Sequence, residues 1–127
     1  PITIRYADLD PVGHVNNIAY NTYVEQARVM FWQPLLDEFG GDRLDTVVVR
    51  VAVDYLHELG FPGEVAVGAR LARVGTKSFT LMNPVFSGDT CHAVAECVSV
   101  LFDKVDRKGV APPPAMRARL EQLIREG

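Results

Sequence analysis

The sequence predicts an α+β domain in which a curved antiparallel β-sheet wraps around one long central helix. Three observations predict it. A helical apolar period occurs once at length, early in the chain. A succession of segments with strand period follows, joined by short Gly-containing turns. Those strands carry one apolar face, and only the early helix is long enough to cover it.

The first strand is read from Ile2, Ile4 and Tyr6, which alternate with polar Thr3 and Arg5. From Tyr20 the period becomes helical, with Tyr20, Tyr23, Val24, Ala27, Met30 and Phe31 at three- and four-residue spacing. Pro34 cannot donate to the carbonyl of Met30, so the helix is expected to kink or restart there. Gly40-Gly41 is expected to end it. Strands are then predicted at about 46–58, 64–74, 77–86 and 90–103, broken by Gly60-Phe61-Pro62-Gly63, Gly75-Thr76 and Gly88-Asp89. Val49, Val51, Val53 and Tyr55 are expected to share a face of one strand, and Val65, Val67, Ala69 and Leu71 a face of the next. Pro112-Pro113-Pro114 introduces a last helix at about 115–125, whose weak, charged pattern makes it peripheral.

Length and charge narrow the function classes. A chain of 127 residues, 48% hydrophobic, suffices for one domain with a real core but not for two. A formal net charge of -3 argues against a general nucleic-acid binder, which carries a basic excess. No apolar run approaches the roughly 20 residues that span a bilayer, and these residues show no charged-then-apolar signal pattern. The expectation is a soluble cytoplasmic protein. Cys91 and Cys97 lie six residues apart on one predicted strand, about 20 Å along it. A disulfide needs Cα atoms within about 7 Å, so both are expected to be reduced and buried. His57 and His92 have no Cys or His partners at ligand spacing, and no metal site is expected.

The chemistry concentrates at the start of the long helix. Asp8-Leu9-Asp10-Pro11-Val12-Gly13-His14-Val15-Asn16-Asn17 places carboxylates, an imidazole and a helix start together. A helix beginning near Asn16 or Asn17 leaves its first N–H groups without intrahelical partners, at the positive end of the helix dipole. Such an end stabilises a developing oxyanion, and an acid or base on the turn upstream faces the same bound carbonyl. The side chains of Asn16 and Asn17 also suit helix capping.

The first strand, this segment, and Tyr20-x-x-Tyr23-x-Glu25-x-Ala27-Arg28 together resemble the 4-hydroxybenzoyl-CoA thioesterase family of hotdog-fold acyl-CoA thioesterases. His14-Val15-Asn16-Asn17 is also similar to the related acyl-carrier-protein thioesterases. Asp54-Tyr55-Leu56, Glu64-Val65, Gly75-Thr76-Lys77-Ser78, Ala93-x-Ala95 through Val100 and the proline-led tail fit the same pattern, so the likeness runs over nearly the whole chain. The resemblance implies a single hotdog domain over residues 1–127. It also implies a dimer that joins two sheets edge to edge with active sites at the subunit interface, and dimers that pair into tetramers in many members.

Carried over by position, the resemblance makes Asp10 the catalytic aspartate, as nucleophile or as base toward water, and the Asn17 backbone N–H the oxyanion donor. His14 is placed to meet the thioester or its leaving group, or to orient the loop. The Gly75 to Ser78 turn, with Thr76 and Lys77, helps complete the site. Tyr20, Asn16 and Glu25 are assigned to substrate binding. His14 and Asn16 stand where some benzoyl-CoA enzymes carry aromatic residues, which leaves aliphatic acyl groups open.

Each assignment has a plainer counterpart. Glu25 and Arg28 at i,i+3 also suit an exposed ion pair of little energy. Tyr20, Tyr23 and Tyr55 suit core or pocket wall better than proton transfer. Lys77, Arg70 and Arg73 suit CoA phosphates or a solvated face. The resulting expectation is an acyl-CoA thioesterase that releases free acid and CoA without metal or organic cofactor, with acyl-carrier protein as an alternative carrier. An enoyl-thioester hydratase or dehydratase on the same fold, and a non-catalytic acyl-CoA binder, are the alternatives.

Overall fold

The computed structural model describes residues 2–4, 17–57 and 63–126. Its elements in chain order are β1 (Ile2–Thr3), α1 (Asn17–Phe39), β2 (Leu44–Tyr55), β3 (Glu64–Val67), β4 (Arg70–Val74), β5 (Ser78–Ser87), β6 (Thr90–Asp103), β7 (Lys108–Gly109) and α2 (Pro114–Glu126). The strands pair antiparallel in the order β1-β3-β5-β6-β2, with β4 also on β5 and β7 on β6. The sheet curls around α1, which is the hotdog fold that the sequence predicts.

Two apolar clusters line the inside. Ala19, Tyr20, Tyr23 and Val24 from the first half of α1 pack on Val65, Val85, Ala93, Ala95 and Cys97. Trp32, Leu35 and Leu36 from its second half pack on Leu71, Phe79 and Leu101, with Met116 and Leu120 of α2. The buried stripe of α1 therefore passes Met30, which the helical period placed inside and which is 76% exposed, and continues to Trp32, Leu35 and Leu36. Pro34 does not divide the helix. Proline removes one main-chain donor, and at this exposed position the ring displaces no packed neighbour. The end at Gly40-Gly41 is as expected. The Gly40 N–H donates to the Leu36 carbonyl at 2.8 Å, and Gly41 takes φ 56°, a left-handed conformation that glycine adopts freely.

The strand predicted over 64–74 is two strands, β3 and β4, parted at Gly68-Ala69. Pro84 on the neighbouring strand explains the break. Its carbonyl accepts the Gly68 N–H at 3.0 Å, but proline has no N–H to return. The Gly68 carbonyl is satisfied instead by the buried Asn83 side chain, whose Nδ2 donates at 2.8 Å. Ala69 consequently leaves the face it was expected to share with Leu71.

β2 holds a second correction. Its register with β6 shifts between Val48 and Arg50, a β-bulge. Val47 lies opposite Val100 on the outer face, whereas Val51, Val53 and Tyr55 lie opposite Cys97, Ala95 and Ala93 on the helix side. Val49 sits at the bulge and does not share their face.

α2 lies at the edge of the fold but is firmly docked, since Met116 and Leu120 are completely buried despite the charged face around them. Asp103 fastens the turn after β6. Its Oδ1 accepts the N–H of Val105 at 2.8 Å and of Asp106 at 3.0 Å, and its Oδ2 accepts Arg43 Nη2 at 3.0 Å. The Asp106 N–H, then the Arg43 guanidinium and the Val105 N–H, hold this carboxyl below its ordinary range.

Candidate active site

α1 begins at Asn17, so the first main-chain donors of a 23-residue helix stand where the sequence places the oxyanion donor. Asp10, His14 and Asn16 lie outside the described residues.

One turn into α1, Tyr20 is buried and its hydroxyl donates to the His57 carbonyl at 3.4 Å. Its ring meets Tyr55 edge-on, with centroids 5.1 Å apart and an interplanar angle of 86°. Burial, and then the Tyr55 hydroxyl, push the Tyr20 phenol above its ordinary pKa, and burial raises that of Tyr55. Neither is a base at neutral pH. His92 completes this corner: its carbonyl accepts the Leu56 and His57 N–H groups at 2.8 and 3.1 Å, and its ring stands 6.1 Å from that of His57. Among the described residues, no three His, Cys, Asp or Glu side chains gather as metal ligands.

Glu25 and Arg28 do not form the i,i+3 ion pair considered from sequence. Arg28 Nη1 instead approaches Cys97 Sγ at 3.7 Å. Both residues line a groove of about 510 Å³, open mouth included, between α1 and the first half of β2, with Trp32, Asp45 and Thr46. Cys97 is buried and Cys91 half-buried, and both are free thiols.

Gly75, Thr76, Lys77 and Ser78 form the β4–β5 turn. The Gly75 N–H donates to the Ser78 carbonyl at 2.8 Å, and a Cβ on Gly75 would stand 2.9 Å from Ser78 Oγ. Arg117 of α2 forks onto this turn, its Nη2 donating to the carbonyls of Gly75 at 2.7 Å and Thr76 at 2.9 Å. Sequence reasoning missed Arg117, because its partners lie more than forty positions away and no local pattern marks it. The turn borders Phe79 and the second apolar cluster, at the far end of α1 from Asn17. A helix of this length spans about 33 Å. Within one chain, then, the structure separates the turn from the helix start.

A model of the thioesterase-like superfamily matches residues 4–120, nearly the whole chain. The chain belongs to the thioesterase-like superfamily. Among solved structures, it is similar to a thioesterase from Thermus thermophilus complexed with coenzyme A and Zn, at 31% identity and a TM-score of 0.82, covering 98% of this chain and 92% of that one. It is also similar to the PA2801 protein of Pseudomonas aeruginosa, at 28% identity and a TM-score of 0.81, covering 94% of each chain. The protein YsmA of Bacillus subtilis strain 168 is 27% identical over 112 residues, which are 87% of this chain and 76% of YsmA. This member of the superfamily thus presents the start of α1, the Tyr20–Tyr55 pair and a distant, Arg117-braced turn as its candidate site components. No helix among the described residues is long and apolar enough to cross a membrane.

Proposed function

We propose that this protein hydrolyses an acyl-CoA thioester to a free carboxylic acid and CoA. The observation that carries the reading is the start of α1 at Asn17, seven residues after Asp10, in a chain of the thioesterase-like superfamily. The thioester carbonyl points at the Asn17 N–H. Asp10 either takes a proton from water as water attacks the carbonyl carbon, or attacks it directly to give an anhydride that water then opens. Either way a C–O bond forms and charge collects on the carbonyl oxygen at the helix end. Collapse breaks the C–S bond and releases the CoA thiolate, which takes a proton. His14 is assigned to the thioester or its leaving group, or to orienting the loop, and Asn16 to substrate binding. One oxyanion donor contributes about 3–4 kcal/mol to the transition state, and a positioned base about 10²–10⁴ in rate. The coenzyme A bound to the Thermus thermophilus neighbour favours CoA over a carrier protein.

We place the working site between two copies of the chain. β2 ends the order of the described strands, so its outer edge is free to pair. A two-fold pairing of β2 with itself runs antiparallel and sets the Tyr55 end of one copy beside the Leu44 end of the other. The register puts Leu44 opposite Asp103 and Tyr55 opposite Ala93. The Leu44 end therefore belongs with the second apolar cluster and the Gly75–Ser78 turn, and the Tyr55 end with the start of α1. Dimerisation brings the two separated halves together, and with them Lys77 to the CoA side of the site.

The test compares CoA release from short, medium, long and aromatic acyl-CoAs by the protein and its Asp10→Asn variant. We expect turnover by the parent, and a loss of about 10²-fold or more in kcat in a variant that melts like it. A variant as fast as the parent, or a parent inert on every thioester, overturns the reading.

A further inference from the structure

We infer that the groove between α1 and the first half of β2 takes the acyl group of the substrate and that Arg28 there reads a neutral oxygen on it, a hydroxyl or a keto group. The inference rests on the thioester-hydrolase reading and on the two-copy site above. β2 ends the order of the described strands, so the groove lies at the margin of the sheet that the second copy joins. That pairing sets the start of the other copy's α1 beside the Leu44 half of β2, the half that forms the groove. A thioester held at one helix start therefore has its acyl group beside the groove of the other copy.

Val29 and Leu36 of α1 and Val48 of β2 give the groove hydrocarbon walls. Among them stands a cation without a counter-charge. Arg28 is half-buried, and among the described residues no carboxylate pairs with it, although Glu25 and Asp45 line the same groove. Its hydrogen bond goes to Cys97 Sγ at 3.7 Å, and a thiol is a weak acceptor. Trp32, four residues on and so on the same helix face, is 2% exposed, and among the described residues its indole N–H has no partner. The helix wall thus holds more donors than it satisfies.

That surplus selects among acyl groups. A saturated chain in the groove displaces water from the guanidinium and returns nothing, which leaves a half-buried charge short of acceptors. A hydroxyl or keto oxygen accepts from Arg28 and removes the cost. A second carboxylate on the acyl group also meets Arg28, but the exposed Glu25 and Asp45 repel it. The class that fits is a neutral, oxygenated acyl chain.

The experiment compares kcat/KM of the parent, Arg28→Met and Arg28→Lys on hexanoyl-CoA, on its 3-hydroxy, 3-oxo and 6-hydroxy forms, and on adipyl-CoA. The parent is expected to favour at least one of the neutral oxygenated chains over hexanoyl by about ten-fold or more, the lower end of what a hydrogen bond to a charged group is worth. Arg28→Met abolishes that preference. Arg28→Lys, which keeps a charged donor, retains part of it and carries the test should the methionine variant not fold. Trp32 is the chain's one tryptophan, so its fluorescence reads the groove without turnover. Thioether analogues of the same chains, which cannot be hydrolysed, should shift that emission, the favoured oxygenated chain at the lowest concentration in the parent and at no advantage in Arg28→Met. A best rate on hexanoyl- or adipyl-CoA, or a uniform loss in Arg28→Met with unchanged ratios, overturns the inference alone. A parent inert on every thioester overturns the functional reading, and the thioethers then decide the groove: an advantage for an oxygenated chain that depends on Arg28 upholds it, and equal or absent shifts overturn it.

Discussion

Replacing Arg117 by methionine tests whether α2 holds the β4–β5 turn in shape. Methionine keeps most of the apolar stem and removes the two hydrogen bonds to the carbonyls of Gly75 and Thr76. Bonds from a charged donor contribute about 1.5–3 kcal/mol each when buried, but the Arg117 side chain is 31% exposed and Thr76 is exposed, so water replaces part of the loss. The pair is then worth about 1–2 kcal/mol in total. The contact of Arg117 Nη1 with Glu121, at 3.7 Å and partly exposed, adds little. For a chain of this size the loss lowers Tm by roughly 3–10 °C. Thermal melts at one fixed protein concentration read this, because self-association shifts Tm by itself. Hydrogen exchange at the Gly75 amide reads the turn directly, and should quicken. Arg117→Lys should recover part of the loss, since both carbonyls take their hydrogen bonds from the single Nη2 and an ammonium can donate to two acceptors. A Tm within about 1 °C of the parent, with exchange at Gly75 unchanged, would refute the reasoning.

Leu120→Ala should cost about 2–5 kcal/mol, because Leu120 is completely buried among Met116, Trp32 and Phe79; urea midpoints measure it, and a loss under about 1 kcal/mol would mean that α2 is not part of the core. Asp103 carries a depressed pKa in the folded chain, so its contribution is complete above the unfolded carboxylate value near 3.9 and fades as pH falls toward the folded one. Melts between pH 6 and pH 2 should therefore show a shallower acid decline for Asp103→Asn than for the parent, and equal slopes would contradict the assignment. Mixing Asp10→Asn subunits with Gly75→Val subunits, whose new side chain collides with Ser78, should restore about a quarter of the parent activity, since half the dimers are mixed and each keeps one intact site. Activity no higher than that of the separate variants would place both halves of the site in one subunit.

The fold was legible where local pattern and tertiary demand agree. The helix boundaries at Asn17 and Phe39 follow from capping residues on one side and Gly40-Gly41 on the other. The β5 and β6 pattern reads directly as alternation of buried and half-buried residues. The misreadings share one cause, a non-local partner. Gly68 breaks a strand because Pro84, sixteen residues on, lacks a donor. Met30 fits a helical stripe by spacing, but the curve of the sheet leaves it uncovered and takes Trp32, Leu35 and Leu36 instead. Of the candidate site, the helix start could be read from adjacent residues. The Gly75–Ser78 turn was recognised by resemblance, but its distance from Asn17 was not, because spacing along a chain says nothing about which end of a helix a hairpin reaches.

The bulge gives β2 one more residue than the stretch of β6 it faces, and so a residue of slack. Before Val49 the even-numbered residues face α1; after it the odd-numbered ones do. In a regular strand, losing one residue turns everything beyond the loss to the opposite face. Here the loss of Val49 would close the ladder and leave Thr46, Val51, Val53 and Tyr55 on the sides they now hold. What would go is the bend, because a bulge kinks its strand and tightens the local twist. Val49 therefore governs direction rather than facing: it steers where the second half of β2 points, and with it how the Tyr55 ring is aimed at Tyr20.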